Sequence, residues 1–269
     1  MATHTASARR GGVATVAVVA AAAALVLFGS TGNAAVVATV PLGTSANYAV
    51  LAGSTVTNTG NSTLDGSLGL WPGSSITGFP PGQVLPPGTT DTTNASAQQA
   101  QSDLTAAYVD AAGRPLDATT TADLGNLTLA GGVYAGPSKG ALSLTGPLTL
   151  DGQGDPNAVF IFQTDSELIT ASDSTVTLIN GAQPCNVFWQ VGSSATLGTN
   201  SVFVGNILAL TSITVNSGVT VHGRALARNG AVTLNNDTFT NAACNSAPTT
   251  TAPAAPPVSA VPAAPNFTG

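Results

Sequence analysis

The sequence predicts a mainly β protein in which short strands coil into a roughly triangular β-solenoid, with one long α-helix packed along a face. Two observations carry this prediction. Three consecutive rows of eighteen residues, starting at positions 187, 205 and 223, align as VFWQVGSSATLGTNSVFV, GNILALTSITVNSGVTVH and GRALARNGAVTLNNDTFT. Elsewhere, short apolar segments are separated by Gly, Asn and Pro, and a single stretch has helical periodicity.

Each row is long enough for three short strands joined by corners, which make one coil of a solenoid. Residues 213–215 align under 195–197, and residues 232–234 follow one place later. Upstream, residues 176–178 are predicted to join the same series. Because successive side chains in a strand alternate between faces, the middle residue of each triplet is expected to point outward: Thr177, Thr196, Thr214 and Thr233.

The helix is predicted over residues 94–112, with a polar cap at 92–94 and a stop at Gly113 and Pro115. Its apolar positions recur every three or four residues: Ala97, Ala100, Leu104, Tyr108 and Ala111. One strand of each coil, at 189–191, 207–210 and 225–227, is apolar or small on both sides and must be covered on both. The helix is the only candidate cover, so we expect it to lie against the strand at 207–210.

The composition excludes several classes of protein. Only 7% of the 269 residues are charged, against about a quarter in average domains. Six basic and twelve acidic residues give a net charge of −6, and no basic patch is available for nucleic acid. Catalysis or metal binding by clustered histidines is nearly excluded, since His4 and His222 are the only two histidines in the chain.

Both ends of the chain are predicted to lie outside the folded domain, which is placed at 40–245. Residues 1–34 have the pattern of a signal peptide: Arg9 and Arg10, an apolar stretch at 11–28, and small residues at the cleavage site. A membrane anchor is the alternative, because the apolar run approaches spanning length. Residues 246–269 are rich in Pro, Ala and Thr, and indicate an extended tail that buries no core.

The two cysteines, Cys185 and Cys244, are expected to form a disulfide in an exported protein. The chain between them would form a closed loop of about 58 residues, which stabilises by about 4 kcal/mol in the chain-entropy model. They bracket the three aligned rows, so the short flanking segments must fold back to bring them together. Two buried thiols are the alternative.

The segment from Leu42 to Cys244 resembles the ice-binding-like domain of many secreted microbial proteins. The motifs that carry the resemblance are LGTSANYAVLAGSTVTNTG, DLTAAYVDAAGR, LTLDGQGDPNAVFIFQ, VFWQVGSSATLGTNSVFVGNILALTSITV and GRALARNGAVTL. The resemblance implies a right-handed, discontinuous β-solenoid with a long helix packed along it. It also implies a secreted protein that adsorbs to ice and inhibits ice growth or recrystallisation. Family members bind through a flat solenoid face, often with the motif Thr-(Ala/Gly)-x-(Thr/Asn).

Two outward rows compete for that role. The row that overlaps the family motif is the preferred one, although it includes Val202 and lies beside Asp237; its proposed ice-binding residues are Thr199, Ser217, Thr220, Asn235 and Thr238, with Thr59, Ser62 and Thr170 from further partial matches. The competing row is more uniform in hydroxyl groups and consists of Thr177, Thr196, Thr214 and Thr233. The plain alternative for any one Thr is that it is a good exposed strand former.

No enzyme is predicted, because the acidic residues are scattered and no acid–base constellation can be assembled. The segment Asp151-Gly-Gln-Gly-Asp155 superficially resembles a calcium loop, but is interpreted as a turn. The sequence predicts no cofactor, no metal, no nucleic acid and no small-molecule substrate. The predicted partner is ice or an ordered water surface, bound by a monomer. The second hypothesis is a secreted or cell-wall-associated adhesion or structural module on the same scaffold.

Overall fold

The computed structural model describes residues 37–244, which form one α-helix and 22 short β-strands. The predicted signal peptide and the Pro-rich tail lie outside the described residues. Within 37–244, no helix has both the length and the apolar character that crossing a membrane requires.

The elements follow one another in a simple order. The first strands are β1 (Tyr48–Ala52), β2 (Thr55–Thr59), β3 (Thr63–Asp65), β4 (Ser67–Leu70), β5 (Ser75–Thr77), β6 (Gln83–Leu85) and β7 (Thr90–Thr92). The helix α1 (Ala95–Gly113) comes next. The remaining strands are β8 (Ala118–Thr119), β9 (Thr128–Ala130), β10 (Gly132–Ala135), β11 (Leu142–Leu144), β12 (Pro147–Asp151), β13 (Phe160–Thr164), β14 (Leu168–Thr170), β15 (Thr175–Ile179), β16 (Val187–Val191), β17 (Ala195–Leu197), β18 (Val202–Ala209), β19 (Ile213–Val215), β20 (Thr220–Ala227), β21 (Val232–Asn235) and β22 (Thr238–Thr240).

The strands stack in parallel on three faces, as the eighteen-residue rows predicted. Face A consists of β8, β10, β13, β16, the second halves of β18 and β20, β1, β4 and β7. Face B consists of β11, β14, β17, β19, β21, β2 and β5. Face C consists of β9, β12, β15, the first halves of β18 and β20, β22, β3 and β6. The long strands β18 and β20 each turn the corner from face C to face A.

The solenoid is discontinuous, in agreement with the family resemblance. Strand β1 pairs with β20, so Val50 lies beside Ala225, and β2 pairs with β21 on face B. The coil of residues 48–65 therefore stacks on the last coil of the C-terminal part, at 224–240. The helix α1 connects β7, at one end of the stack, to β8 at the other.

The register confirms the aligned rows, with one correction. Thr196 pairs with Thr214, and Thr214 with Thr233, including the predicted shift of one place. Thr177 does not belong to this row, because it pairs with Thr149 on face C. The face B strand of that coil is β14, which places Ile169 beside Thr196. The pattern apolar-Thr-apolar occurs on two faces, so the pattern alone assigned residues 176–178 to the wrong one.

The corner between faces B and C is built from residues with positive φ. Asp173, Asn200, Gly218, Asn236 and Gly60 all have φ between 57° and 77°. Gly, Asn and Asp are the residue types that adopt this left-handed conformation most readily. Each stacks on the next through backbone hydrogen bonds; for example, the Asn200 N–H donates to the Ser217 carbonyl at 3.0 Å. We call this column of residues the B–C corner.

Helix α1 covers face A, as predicted. Asn94 caps it by accepting a hydrogen bond from the Ala97 N–H at 2.9 Å. The helix residues buried against the sheet are Ala97, Ala100, Gln101, Leu104, Ala107 and Ala111. Of these, Ala100, Leu104, Ala107 and Ala111 form one apolar cluster with Leu51, Leu208 and Leu226, which point outward from the solenoid. Tyr108, predicted on the buried stripe, is only half-buried, because Ala107 occupies the position in contact with the sheet.

The helix is not the only cover of face A, which corrects the sequence-based expectation. Residues 37–47 run beside α1, and Val40 and Leu42 belong to the same buried apolar cluster as Ile161 and Phe188. Arg114, just after the helix, donates to the Ala38 carbonyl at 2.9 Å. A two-faced apolar sheet that is too wide for one helix needs this second strip of chain.

The predicted disulfide between Cys185 and Cys244 is confirmed, with their Cα atoms 5.3 Å apart. Arg224 lies on the same side and is 7% exposed. Its guanidinium donates to the Ala46 carbonyl at 2.8 Å, to Asn206 Oδ1 at 2.8 Å and to Asn241 Oδ1 at 3.0 Å. Arg224 therefore links both ends of the described chain to the solenoid.

Candidate functional surface

Face B presents a straight row of threonines to solvent. The outward residues of consecutive strands are, in register, Ser143, Ile169, Thr196, Thr214, Thr233, Thr57 and Thr77. The last five are all Thr, and neighbouring strands in a sheet are about 4.7–4.9 Å apart. We call these five residues the threonine row. Their hydroxyl groups form no hydrogen bond with other groups among residues 37–244, so they are available to water.

Small side chains, most of them polar, flank the threonine row on both sides. Two residues earlier along the strands lie Ser194, Ser212, Ala231, Thr55 and Ser75. Some of these hydroxyls are fixed by the backbone of the next coil: Ser212 Oγ accepts from the Ala231 N–H at 3.1 Å. Two residues later lie Asn216, Asn235 and Thr59, and Asn235 pairs with Thr59. No bulky side chain stands above this lattice on β17, β19, β21 and β2.

The lattice is rigid because its inner side is fully packed. Ala195, Ile213, Val232 and Val56 alternate with the outward residues and are at most 1% exposed. Parallel hydrogen-bond ladders fix the strand spacing, and the β-branched Thr side chain is stiff at χ1. The positions of the methyl and hydroxyl groups are thus set before any ligand arrives.

Charge is absent from the five strands that carry the threonine row. Strands β17, β19, β21, β2 and β5 contain no Asp, Glu, Lys or Arg. Charged side chains appear only toward the far end of face B, where Glu167 precedes β14 and Asp123 pairs with Ser143. Asp237 follows β21 but is 1% exposed, so its carboxylate lies beneath the surface.

The row of ice-binding residues preferred from the sequence does not lie on one face, because its members lie on both sides of the B–C corner. Thr199, Ser217, Asn235 and Thr59 immediately precede the left-handed residues of the B–C corner. Thr220 and Thr238 lie on the other side of that corner, on face C, in register with Val202 and Thr63. A flat surface therefore cannot contact both groups in the same way.

Two residues of the preferred set are buried, and their assignment as surface contacts is wrong. Ser62 is fully buried; its Oγ donates to Asn58 Oδ1 at 2.5 Å and accepts from the Asp237 N–H at 2.9 Å. Thr170 is 3% exposed, and its Oγ1 accepts from the Gly198 N–H at 2.9 Å. Strand alternation explains Thr170, because its neighbour Ile169 takes the outward position.

The sequence reasoning also missed two members of the threonine row, Thr57 and Thr77. They lie more than 100 residues before Thr196, in coils that stack beyond the last aligned row. One local signal for Thr57 was present: the segment TVTNT at 55–59 alternates polar and inward-facing residues. Placing it beside Thr233 required the discontinuous topology, which no local pattern contains.

Face C is less regular than face B. In its outward positions Thr149 pairs with Thr177, but Val204, His222 and Thr240 continue along the stack, and Asp65 pairs with Leu85. The His222 ring contacts Thr240, with 2.6 Å between Nδ1 and Oγ1. An imidazole and a carboxylate interrupt this face, so it offers no continuous lattice of one chemistry.

The loop Asp151–Asp155 is held as a turn by its own side chains. Asp151 Oδ1 accepts from the Gln153 N–H at 2.8 Å and from Asn180 Nδ2 at 2.9 Å. Asp155 Oδ1 accepts from the Asn157 N–H at 2.8 Å. Among residues 37–244, no three His, Cys, Asp or Glu side chains come together as metal ligands would.

The fold and this surface define a class: parallel β-solenoids that present a flat, uncharged hydroxyl lattice. A family model described as ice-binding-like matches residues 50–240, and the chain belongs to that family. An ice-binding protein from Nostoc sp. (strain HG1) is 55% identical over 203 residues, covering 75% of this chain and 74% of that protein.

Two further comparisons agree with this assignment. Ice-binding protein 1 of Shewanella frigidimarina (strain NCIMB 400) is 36% identical over 231 residues, covering 75% of this chain but 26% of that longer protein. The crystal structure of an ice-binding protein from the Antarctic ascomycete Antarctomyces psychrotrophicus superposes with a TM-score of 0.72 at 39% identity. That match covers 76% of this chain and 98% of the other.

Proposed function

We propose that this protein binds ice through face B and thereby inhibits ice growth or recrystallisation. The single observation that carries the proposal is the threonine row, five Thr in register on adjacent strands. Membership of the ice-binding-like family and the names of the relatives support the ligand. The choice of face rests on geometry.

The chemistry of the row suits ice. A Thr side chain offers a methyl group, which orders water around it, and a hydroxyl group, which hydrogen-bonds to that water. Repetition at the strand spacing, about 4.7–4.9 Å, imposes a regular array on these waters. A strongly hydrated ion would order water differently, and the strands that carry the row have no charged residue.

The motif-based alternative is weaker on the same grounds. Its members bend over the B–C corner, and Ser62 and Thr170 are inaccessible. Asn235 and Thr59 are kept in the proposed surface, since they border the threonine row on face B. We therefore propose a binding surface made of the threonine row with Asn235 and Thr59 at its edge.

We further propose that the protein acts outside the cell. A disulfide between Cys185 and Cys244 is typical of oxidising compartments, where exported proteins fold. The basic and apolar pattern at 1–34 supports export with cleavage. Adsorption to an external crystal needs no second chain, and we expect a monomer. Nothing in the arrangement of face B calls for a cofactor or a catalytic step.

Two matched substitutions test the choice of face. Thr214 and Thr220 belong to the same coil, but Thr214 lies on face B and Thr220 on face C. Thr214→Tyr should remove most of the recrystallisation inhibition and thermal hysteresis, because a ring standing above the row separates the lattice from ice. Thr220→Tyr should leave both activities close to those of the parent protein.

Circular dichroism and the unfolding midpoint show whether each variant is folded. Loss of activity with Thr220→Tyr alone would move the site to face C and the motif row. A folded parent protein without any activity on ice would reject ice binding and leave the adhesion or structural module on the same scaffold.

A further inference from the structure

A groove lies between helix α1 and the corner where β4 leaves face A. It has a volume of about 400 Å³, and its walls include Trp71, Gln98, Gln101, Ser102, Thr105 and Arg228. This size falls within the range of small-ligand sites, about 300–1,000 Å³. None of these residues belongs to a strand of face B, so the groove is separate from the threonine row.

The polar wall of the groove is held in place by a chain of hydrogen bonds. Arg228 Nε donates to Thr105 Oγ1 at 2.7 Å, and Thr105 Oγ1 donates to the Gln101 carbonyl at 2.9 Å. Gln101 Nε2 donates to the Ala227 carbonyl at 3.1 Å, which connects the helix to β20. The guanidinium and amide groups are thus oriented before a ligand binds, which lowers the entropy cost of binding.

One buried acceptor in this wall has no partner. Gln101 is 5% exposed, and its Oε1 receives no hydrogen bond from the groups of residues 37–244. Buried polar atoms are nearly always satisfied, and each exception requires an explanation. This atom lies beneath the surface of the groove, so a ligand reaches it only when the side chains that cover it move apart.

The lining selects the class of ligand. Trp71 is half-buried and gives an aromatic surface, while the side chains of Gln98, Ser102, Arg228 and Asn229 give hydrogen-bonding groups. A purely apolar ligand would leave these polar groups unpaired. A polyphosphate would find one cation, Arg228, and a cationic ligand would find no carboxylate in the wall.

We propose that this groove binds a hexopyranose ring of an extracellular polysaccharide. The C–H face of the sugar packs on the Trp71 ring, and its hydroxyls meet Gln98, Ser102 and Arg228. Such a site would hold the protein to a glycan matrix while face B remains free, because the two surfaces share no residue. This inference is independent of the ice-binding proposal.

Tryptophan fluorescence provides a direct test. The chain has two Trp, and Trp189 is 1% exposed in the core, so a ligand in the groove acts on Trp71. The exported protein is titrated with neutral hexamers, cellohexaose and laminarihexaose, and with an alginate hexamer whose rings carry carboxylates. We expect a saturable change in emission with at least one of them. If only the alginate hexamer binds, the ligand is a hexopyranose that carries a carboxylate, and this carboxylate pairs with Arg228.

Ser102→Phe fills the groove from the exposed side of the helix without removing a buried group. It should weaken binding at least about tenfold, or about 1.4 kcal/mol. Val109→Phe is the matched control, since Val109 is 63% exposed on the same helix, two turns further on. It should bind like the parent protein.

Calorimetry on Trp71→Ala, with the unfolding midpoint as a check of folding, should show the loss of binding as well. The proposal is overturned if no hexamer gives a saturable signal, or if Ser102→Phe and Val109→Phe bind equally. Recrystallisation inhibition should persist in all three variants. That separates failure of this proposal from failure of the proposed ice-binding function.

Discussion

Individual charged residues show how a chain with few charges uses them in its interior. Arg224 is nearly buried among carbonyl and amide oxygens, and burial lowers the pKa of its guanidinium to about 10. It therefore stays charged at neutral pH and donates several hydrogen bonds that link the segments near both ends of residues 37–244. Asp237 instead acts as a buried acceptor near the B–C corner. Its carboxylate accepts hydrogen bonds from the N–H groups of Asn235 at 2.7 Å and Val219 at 3.0 Å.

Asp237 makes stability depend on pH. Burial raises the pKa of its carboxyl group to about 7, against the hydrogen bonds from Asn235, Val219 and Gly218 that lower it. The folded protein then holds this proton over a range where the unfolded chain releases it. The free energy of unfolding should fall as pH rises from about 4 to about 7, by up to about 1.4 kcal/mol for each pH unit.

Asp237→Asn should remove most of that slope, as measured by denaturant unfolding at pH 5 and pH 7.5. Asp173→Asn, an exposed carboxyl in the same corner column, is the control and should keep it. A parent protein whose stability is level across this window would show that the Asp237 proton is not linked to folding.

At the scale of single elements, the sequence was most informative where a pattern is local. The helix is found within one residue of its predicted bounds, because its cap at Asn94 and its period of three or four residues are written in consecutive positions. The strands at 195–197, 213–215 and 232–234 are likewise found, because three coils of nearly equal length follow one another. The assignment of Thr177 to face B was wrong because the preceding coil differs in length. The apolar-Thr-apolar triplet at 176–178 therefore falls on face C.

Helix α1 should contribute to stability chiefly through its buried stripe. Leu104 is fully buried near the middle of the helix, within the cluster that includes Leu51, Leu208 and Leu226. Leu104→Ala should lower the free energy of unfolding by about 2–5 kcal/mol, through lost burial and the cavity that remains. Ice recrystallisation inhibition in the cold should persist, because face B lies on the other side of the core.

Val109→Ala on the exposed side of the same helix is the control and should change stability by no more than about 0.5 kcal/mol. Guanidinium unfolding followed by circular dichroism measures both variants. Equal stability of the two would mean that the helix is not packed on face A in solution.

The arrangement of the whole molecule is the part of the fold that was least predictable from the sequence. The coil of residues 48–65 packs beyond the last C-terminal coil, and the strand Ser75–Thr77 packs beyond that, so Thr57 and Thr77 extend the threonine row from three residues to five. Pairing between strands more than 100 residues apart leaves no local period in the sequence. The inward position of Ser62 has the same origin, since its partner Asp237 comes from the other part of the chain.

The disulfide acts at this scale, because it ties the start of the C-terminal coils to their end. It joins residues separated by 59 positions, and the enclosed segment contains β17, β19 and β21, which carry three of the five residues of the threonine row. Closing a loop of this length restricts the unfolded chain and stabilises the fold by about 4 kcal/mol in the chain-entropy model.

Replacing both cysteines, Cys185→Ser with Cys244→Ser, should therefore lower the free energy of unfolding by about that amount and lower the thermal midpoint. The face itself should survive in the cold, because the parallel ladders and the packed residues beneath it, such as Ile213 and Val232, do not involve the sulfurs. Unfolding midpoints of the double variant and of the parent protein treated with a reductant should agree. Recrystallisation inhibition near 0 °C should match the untreated parent in both.

A double variant with unchanged stability would show that the bridge does not constrain the unfolded chain. A double variant that is folded but inactive would show that the geometry of face B depends on the bridge.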